Sequence, residues 1–369
     1  MQIGILITSI SNFGQKGFYN AQEIGLAKAM DSLVDEVLVY KLVADDHQKR
    51  VEKIENCKHS SIVFIPAKSY GINGIIDTDT LNSTLDALVY FSDTQFCVPK
   101  VYKWARKNNV KFFPYIGVIE SHSTNRLKKI FVDWMFKRNL SVYRKSHCFV
   151  KTPAVQSELK KLGIKNTTVA PVGLDLSLLK SDYENYDPIE LKRKYGYKDD
   201  DKVLLFIGRL IEEKQPLRMI EIFSEVYQHS ASYRLLMIGS GELKDQVTDL
   251  IKGKGLQDKV QHIDKVPNKD IWELYRFADC FVNLNQQEIF GMAILEAMYY
   301  GCKVVAWKAP GPRFIVEDEV SGYLVDDDKT AVKNIVEGSI DCKLVHNRSA
   351  ENFTWFSTAP ILLSEIKNT

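Results

Sequence analysis

The stretch Cys280-Phe-Val-Asn-Leu-Asn-Gln-Gln-Glu-Ile-Phe-Gly-Met-Ala-Ile-Leu-Glu-Ala-Met298 decides the fold. Its first five residues form a mostly apolar run, as expected of a strand buried on both faces. A polar loop follows, and a helix starts near Gly291. A glycine at a helix start leaves free N–H groups aimed at an incoming anion, and the helix dipole adds to that field. Glu288 lies just before the helix and Glu296 about a turn and a half inside it. Carboxylates do not bind phosphates, so each needs another task. Glu296 is suited to accept hydrogen bonds from a ribose diol, and Glu288 to face a sugar beyond a diphosphate. The plainer reading, Glu296 as an ordinary helix-surface residue, is strained. Its neighbours Ile294, Leu295, Ala297 and Met298 are all apolar, and a carboxylate in such surroundings is rarely left without a partner.

The same alternation runs through the chain. Strands are predicted at 3–8, 37–40, 62–65, 110–115, 148–151 and 168–171 in the first half, and at 203–207, 235–238, 260–263, 280–284 and 304–307 in the second. Helical patterns fall between them, at 18–30, 92–108, 153–162, 216–229 and 291–300. Such alternation implies parallel sheets covered by helices. One parallel sheet would not comfortably hold this many strands, so the chain divides into two doubly wound α/β halves. The first spans 1–172, a polar linker spans 173–201, and the second half spans 202–354. The linker carries Ser181-Asp-Tyr-Glu-Asn-Tyr-Asp187, then Pro188, and ends in Asp199-Asp-Asp201. A last helix, at 355–367, is expected to pack back on the first half.

Composition agrees with two soluble domains of ordinary size in 369 residues. Hydrophobic residues make up 45% and charged residues 26%, which suffices for a real core. A net charge of +2 rules out the whole molecule as a polyanion binder, and no nucleic-acid partner is expected. No apolar run approaches the roughly 20 residues needed to span a bilayer, and Met1–Thr8 reads as a strand rather than a leader. The six cysteines include no C-x-x-C pair. Cys97, Cys148, Cys280 and Cys302 sit beside apolar runs as small core residues, which points to a reduced, cytoplasmic compartment and not to zinc. Charge is uneven, however. From Lys100 to Lys165 there are 16 Lys or Arg against three acids, an asymmetry that suggests an anionic surface or substrate.

Three further segments of the second half could serve a ligand. Ligands of open parallel sheets sit beyond the carboxyl ends of strands. In Phe206-Ile-Gly-Arg-Leu-Ile-Glu-Glu-Lys214 a strand ends at Gly208. Arg209 and Lys214 then follow, placed either to clamp a diphosphate or to make surface ion pairs. In Ile238-Gly-Ser-Gly-Glu-Leu243, Gly239 and Gly241 permit close backbone approach to a ligand or simply a tight turn. In Val266-Pro-Asn-Lys-Asp270 the backbone at Val266 could read a base edge, or the segment could be a loop ahead of a helix begun by Pro267.

Taken together these motifs resemble retaining GT-B glycosyltransferases of family 4. The residues that carry the resemblance are Gly208-Arg-Leu with Lys214, Gly239-Ser-Gly-Glu242, and Glu288 and Glu296 with seven residues between them that include Phe-Gly-Met. Ala309-Pro-Gly-Pro-Arg313 and Ser321-Gly-Tyr-Leu-Val325 complete the set. The resemblance covers residues 203–327 closely. It continues in the first half through 146–163 and Pro171-Val-Gly-Leu-Asp175. It implies the GT-B fold, two Rossmann-like domains facing a cleft. Arg209 and Lys214 would hold the donor diphosphate, Glu296 the ribose and Glu288 the donor sugar. The amides of Phe290, Gly291 and Met292 would support the phosphates, with Gly208, Gly239 and Val266 around them. His122 would reach the sugar from the other domain. Gly14 and Gly17, in Asn12-Phe-Gly-Gln-Lys-Gly17, would lie on the acceptor side; the family's adjacent glycines are absent there. Phe314 stands where relatives often carry Glu.

The activity this implies is retaining transfer of a hexosyl or N-acetylhexosaminyl group from a nucleotide-diphosphate sugar, a UDP-sugar, to a glycan or lipid-linked acceptor. It needs no cofactor and no metal, and belongs to polysaccharide or glycolipid synthesis. Asp77-Thr-Asp79 and Asp326-Asp-Asp328 spell the D-x-D of metal-dependent transferases, but such triplets arise by chance in a chain with 47 acids. A non-catalytic partner of the same fold, a sugar-binding subunit of another transferase, and a nucleotide-sugar epimerase are alternatives. A nicotinamide oxidoreductase is disfavoured, because Ser9-Ile-Ser-Asn-Phe-Gly14 stands where G-x-G-x-x-G is required.

The segment 126–138 is helical in pattern. Leu127, Ile130, Phe131 and Trp134 share one face, which is expected to be a core stripe. Arg126, Lys128, Lys129, Lys137 and Arg138 supply charge suited to an anionic membrane surface, and a peripheral location at the inner face of the membrane follows.

Overall fold

The computed structural model describes residues 1–10, 21–44, 48–70, 73–93, 95–119 and 126–369, without the side chains of residues 69, 70 and 126–128. Two compact units emerge. One comprises Met1–Asp175 together with Thr354–Thr369, and the other comprises Leu176–Phe353.

In the first unit the described strands are β1 (Gln2–Ile7), β2 (Glu36–Ala44), β3 (Arg50–Lys53), β4 (Ser60–Tyr70), β5 (Asn73–Ile75), β6 (Ala87–Phe91), β7 (Lys111–Ile116), β8 (Cys148–Val150) and β9 (Thr167–Val169). They lie in the order β3-β4-β2-β1-β6-β7-β8-β9, with β5 on β4. The β1, β2, β6 and β7 strands pair in parallel, as their runs of buried residues require. Two pairings depart from the all-parallel expectation, since β3 and β5 run antiparallel to β4. The four residues of β3 are all exposed, and such a charged edge strand leaves no apolar pattern to read. Helices are α1 (Gln22–Met30), α2 (Val98–Lys107), α3 (Arg126–Tyr143) and α4 (Pro153–Lys161). The helix expected over 92–108 starts only at Val98, with Pro99 in its first turn, where the missing N–H costs nothing.

Helix α3 corrects the expected core stripe. Ile130, Phe131 and Trp134 are exposed, while Met135, Phe136, Asn139, Val142 and Tyr143 are buried. Two polar anchors select that second face. Asn139 donates to the Gln95 carbonyl at 3.0 Å, and the Tyr143 hydroxyl donates to that of Ser92 at 3.1 Å.

The last helix, Trp355–Asn368, packs on α1. Thr354 caps it through a reciprocal pair with Ser357, which satisfies two otherwise orphaned donors. Trp355 is 1% exposed. Its indole occupies the space that a Cβ on Gly25 would need, at 2.4 Å, and a Cβ on Gly173 would lie 2.1 Å from its backbone nitrogen.

The second unit is described throughout. Its strands are β10 (Lys202–Ile207), β11 (Tyr233–Ile238), β12 (Val260–Ile263), β13 (Cys280–Asn283), β14 (Val304–Trp307) and β15 (Tyr323–Val325). All pairs are parallel, in the order β12-β11-β10-β13-β14-β15. Helices are α5 (Pro188–Lys194), α6 (Pro216–His229), α7 (Lys244–Gly253), α8 (Ile271–Phe277), α9 (Met292–Tyr299), α10 (Pro312–Ile315), α11 (Asp328–Val336) and α12 (Cys342–Asn352). Leu204, Phe206, Phe223, Leu235 and Met237 anchor a core between the sheet and α6. Much of the stretch read as a linker is built into this unit. Helix α5 packs on α8, and Lys194 reaches Glu273 at 2.6 Å. Chain direction across the sheet reverses between β10 and β13. That reversal opens a crevice outside their carboxyl ends, where open α/β sheets bind ligands.

Candidate functional site

The loops leaving β10 and β13 meet at that crevice. After β13, Asn285 is 1% exposed. Its Nδ2 donates to Glu288 at 3.1 Å and to Glu213 at 3.2 Å, and its Oδ1 accepts from the Gln287 amide at 2.9 Å. After β10, the short turn Glu212–Lys214 carries Lys214 into the same place. Its Nζ lies 2.8 Å from Glu288 Oε2 and 3.5 Å from Glu213 Oε1. One ammonium, two carboxylates and one amide therefore share a partly buried cluster. The two carboxylates hold the ammonium in place, so an anion that takes Lys214 must compete with Glu288 and Glu213 for it; what the cluster supplies is a cation fixed in position before the ligand arrives.

Arg209 stands beside this cluster in sequence and is exposed; its carbonyl accepts from the Ile211 amide at 2.9 Å, while its guanidinium has no hydrogen-bond or ion-pair partner among the described residues. Gly208 lies against the Lys214 side chain, with a hypothetical Cβ 3.7 Å from Lys214 Cγ. The β11 loop braces the β10 loop from behind. Gly208 N donates to the Ile238 carbonyl, Leu210 N to that of Ser240 and Leu243 N to that of Leu210. Gly239 has φ +138°, and a Cβ there would fall 1.9 Å from the Gly208 carbonyl oxygen. Backbone against backbone, rather than a ligand, is what demands this glycine. His262 Nε2 pairs with the Gly239 carbonyl at 2.7 Å. Nearby, the hydrogen bond from Lys244 holds the Asp264 carboxyl below the usual carboxylate range. Val266 is buried in the loop after β12.

The β14 loop supports Glu288 from the other side. Gly311 N donates to the Glu288 carbonyl at 2.8 Å, and a Cβ on Gly311 would lie 2.1 Å from the Phe290 carbonyl oxygen. Phe290 is buried and meets the Phe353 ring, as does Phe314, at centroid distances of 6.5 and 5.3 Å. An aromatic at position 314 thus completes a three-ring cluster. Gly291, with φ +108°, is the N-cap of α9. The amides of Met292 and Ala293, the first two of α9, have no acceptor within the helix, whereas those of Ile294 and Leu295 donate to the Gly291 carbonyl. Inside α9, Glu296 is 6% exposed and accepts from the Tyr275 hydroxyl at 3.2 Å. The Tyr275 ring stacks on Tyr300 at 6.1 Å.

Lys214 and Glu288 are thus in contact, Gly208 and Gly239 pack beside them, and Phe290 is tied to the β14 loop. Glu296 is held by Tyr275, one turn beyond the first amides of α9. His122, Gly14 and Gly17 lie outside the described residues, as do the side chains of Arg126 and Lys128. Asn285, Tyr275 and His262 were given no role in the sequence reading. Asn285 had one available signal, its place as the first residue of the polar loop after a buried strand.

Four acids of the two D-x-D triplets have structural partners. Asp77 accepts from the Asp79 amide, Asp326 pairs with Lys308, Asp327 caps α11 and Asp328 pairs with Arg218. Among the described residues no group of three or more His, Cys, Asp or Glu could hold a metal ion, and no helix is long and apolar enough to cross a membrane.

The chain resembles proteins of known name. An uncharacterized glycosyltransferase of Methanocaldococcus jannaschii is 34% identical over 140 residues, 38% of this chain and 35% of that protein. The alpha-monoglucosyldiacylglycerol synthase of Acholeplasma laidlawii is 26% identical over 170 residues, 46% of this chain and 43% of that protein. The chain therefore spans less than half the length of these two curated relatives. Among solved structures, Anabaena HepE in complex with UDP superposes with a TM-score of 0.72 at 15% identity, over 100% of both chains. At that identity the likeness establishes the fold, GT-B, with two α/β units built on parallel sheets. The loops that bring Lys214 to Glu288 lie within residues 187–352, the segment that matches the profile of the family Glycosyl transferases group 1.

Proposed function

We propose that this protein is a retaining, metal-independent glycosyltransferase. It moves a hexosyl or N-acetylhexosaminyl group from a UDP-sugar to a glycan or lipid-linked acceptor, in polysaccharide or glycolipid synthesis on the cytoplasmic side of the membrane. The observation that carries the reading is the Lys214–Glu288 pair at the point where the second sheet reverses. UDP is favoured by the likeness to a UDP-bound structure of the same fold.

In this reading Arg209 and Lys214 take the diphosphate, and the amides of Phe290, Gly291 and Met292 support it. Glu296 holds the ribose, Val266 lies at the base, and Glu288 and His122 attend the donor sugar. Gly14 and Gly17 serve the acceptor. The bond from the anomeric carbon to the phosphate oxygen breaks as the acceptor oxygen bonds to that carbon on the same face. The acceptor's proton passes to an oxygen of the departing UDP. Lys214, Arg209 and the first turn of α9 stabilise the charge that develops there.

A thermal-shift panel of UDP-, GDP-, dTDP- and CMP-sugars in the presence of EDTA tests this. A ligand at a hundred times its Kd adds about 2.7 kcal/mol of apparent stability, and the UDP-sugars are expected to give the largest shift. No shift with any of them would remove the donor site. Turnover that survives Glu288→Ala would favour a non-catalytic role for this site. Conversion of the nucleotide sugar without an acceptor would favour epimerisation.

A further inference from the structure

Helix α3 leaves large apolar side chains uncovered. Ile130, Phe131 and Trp134 are 56%, 50% and 50% exposed, and the rings of Phe131 and Trp134 stack with centroids 6.0 Å apart. The three positions share one side of the helix. The attachment of the helix rests on its other side, where Met135, Phe136, Asn139, Val142 and Tyr143 are buried. Cations flank the stripe. Lys129 and Lys137 are exposed. The Arg138 guanidinium sits 4.6 Å over the ring of Phe96, itself 37% exposed, and donates to the Phe96 carbonyl at 2.7 Å. Over its length α3 has five basic residues and one acid, Asp133.

We infer that this face of α3 docks on an anionic lipid bilayer. Ile130, Phe131 and Trp134 enter the interfacial layer, and Lys129 and Lys137 rest among the headgroups. Aromatic and aliphatic side chains on one face with Lys and Arg beside them are what an interfacial helix requires, because apolar burial and attraction to anionic lipid then act together. Charge decides between occupants. A second copy would bring two strongly basic helices face to face, whereas an anionic surface is complementary to both. Docking needs neither donor nor acceptor, so its failure would leave the proposed sugar transfer untouched.

Flotation of the purified protein with phosphatidylglycerol-containing vesicles and with pure phosphatidylcholine vesicles tests the inference. At low salt at least tenfold more protein should float with the anionic vesicles, and the excess should shrink as salt shortens the range of the attraction. Trp134 is the one exposed tryptophan of five, since Trp104, Trp272 and Trp355 are buried and half-buried Trp307 lies under the Arg218 guanidinium at 4.0 Å. Anionic vesicles should blue-shift the emission, and Trp134→Phe should abolish the shift. Phe131→Ser with Trp134→Ser should cut vesicle binding more than tenfold at an unchanged melting temperature. Lys129→Glu with Lys137→Glu should remove the anionic preference and leave the apolar stripe intact. Equal binding to both vesicle types, undiminished binding of the two double variants, or a dimer in sedimentation that Phe131→Ser dissociates would each overturn the inference.

Discussion

Lys214 Nζ and Glu288 Oε2 are 2.8 Å apart although 74 positions separate them in sequence. Two strand ends bring them together, and Asn285 fixes the carboxylate from the other side. Both side chains remain partly exposed, so the pair is worth at most about 1 kcal/mol to folding. Its larger effect is on ligands. Lys214→Ala should weaken UDP binding by about 10- to 150-fold, the loss of roughly 1.5–3 kcal/mol expected for a charged hydrogen bond. Glu288→Gln should leave UDP binding nearly unchanged and lower turnover about a hundredfold or more. Calorimetric titration with UDP separates the two, and equal UDP affinity in Lys214→Ala would refute the assignment.

Two glycines of the second unit, Gly239 in the turn after β11 and Gly253 at the end of α7, make opposite predictions. Gly239→Ala places a methyl 1.9 Å from the Gly208 carbonyl and must push the β10 and β11 loops apart. Both melting temperature and donor affinity should fall. Gly253→Ala meets nothing within 4 Å and should be neutral or stabilising by up to about 1 kcal/mol. Urea unfolding of the two variants side by side is sufficient.

Tyr275→Phe removes the hydroxyl that donates to Glu296. If Glu296 serves a ribose, the variant should discriminate less sharply between UDP and 2′-deoxy-UDP. Glu296→Gln should narrow the difference further, by roughly 1–3 kcal/mol in total. Unchanged discrimination in both would remove Glu296 from the ribose.

Trp355→Ala should cost about 3–5 kcal/mol, as expected for a fully buried Trp. Its indole N–H has no hydrogen-bond partner among the described residues. Trp355→Phe should therefore cost much less, because only volume is lost. Hydrogen exchange should show the damage in α1, which the indole abuts at Gly25, before it reaches β10.

Burial pushes the thiol of Cys148 up to about 12 and that of Cys280 to about 11, and it also raises Cys97 and Cys302. At neutral pH an aromatic disulfide reagent should react fast with exposed Cys342, slowly with half-buried Cys57, and with these four only after unfolding. Rapid modification of all six in the native protein would contradict their burial.

Continuous apolar runs made the parallel strands readable. The run at 203–207 became β10 with one residue added, and 260–263 became β12 unchanged. Strand β6, Ala87–Phe91, was missed because its run flows directly into the helical pattern after Ser92. Charged β3 and three-residue β15 carry too little signal to be read. In the site, residue types were legible but partners were not. Nothing local tells that Lys214 meets Glu288, or that Tyr275 serves Glu296, since strand order sets both encounters. Helix α3 shows the converse. Spacing found a face at Ile130, Phe131 and Trp134, but spacing cannot say whether anything covers that face.

The first unit is discontinuous in the chain, since it receives Thr354–Thr369 only after the whole of Leu176–Phe353. On the ribosome its sheet emerges early, with the hollow between Gly25 and Gly173 empty. The second unit is fully translated before Trp355 arrives to fill that hollow. The half begun first is thus the half finished last, and until then it exposes an apolar gap to every chaperone and protease in the cell.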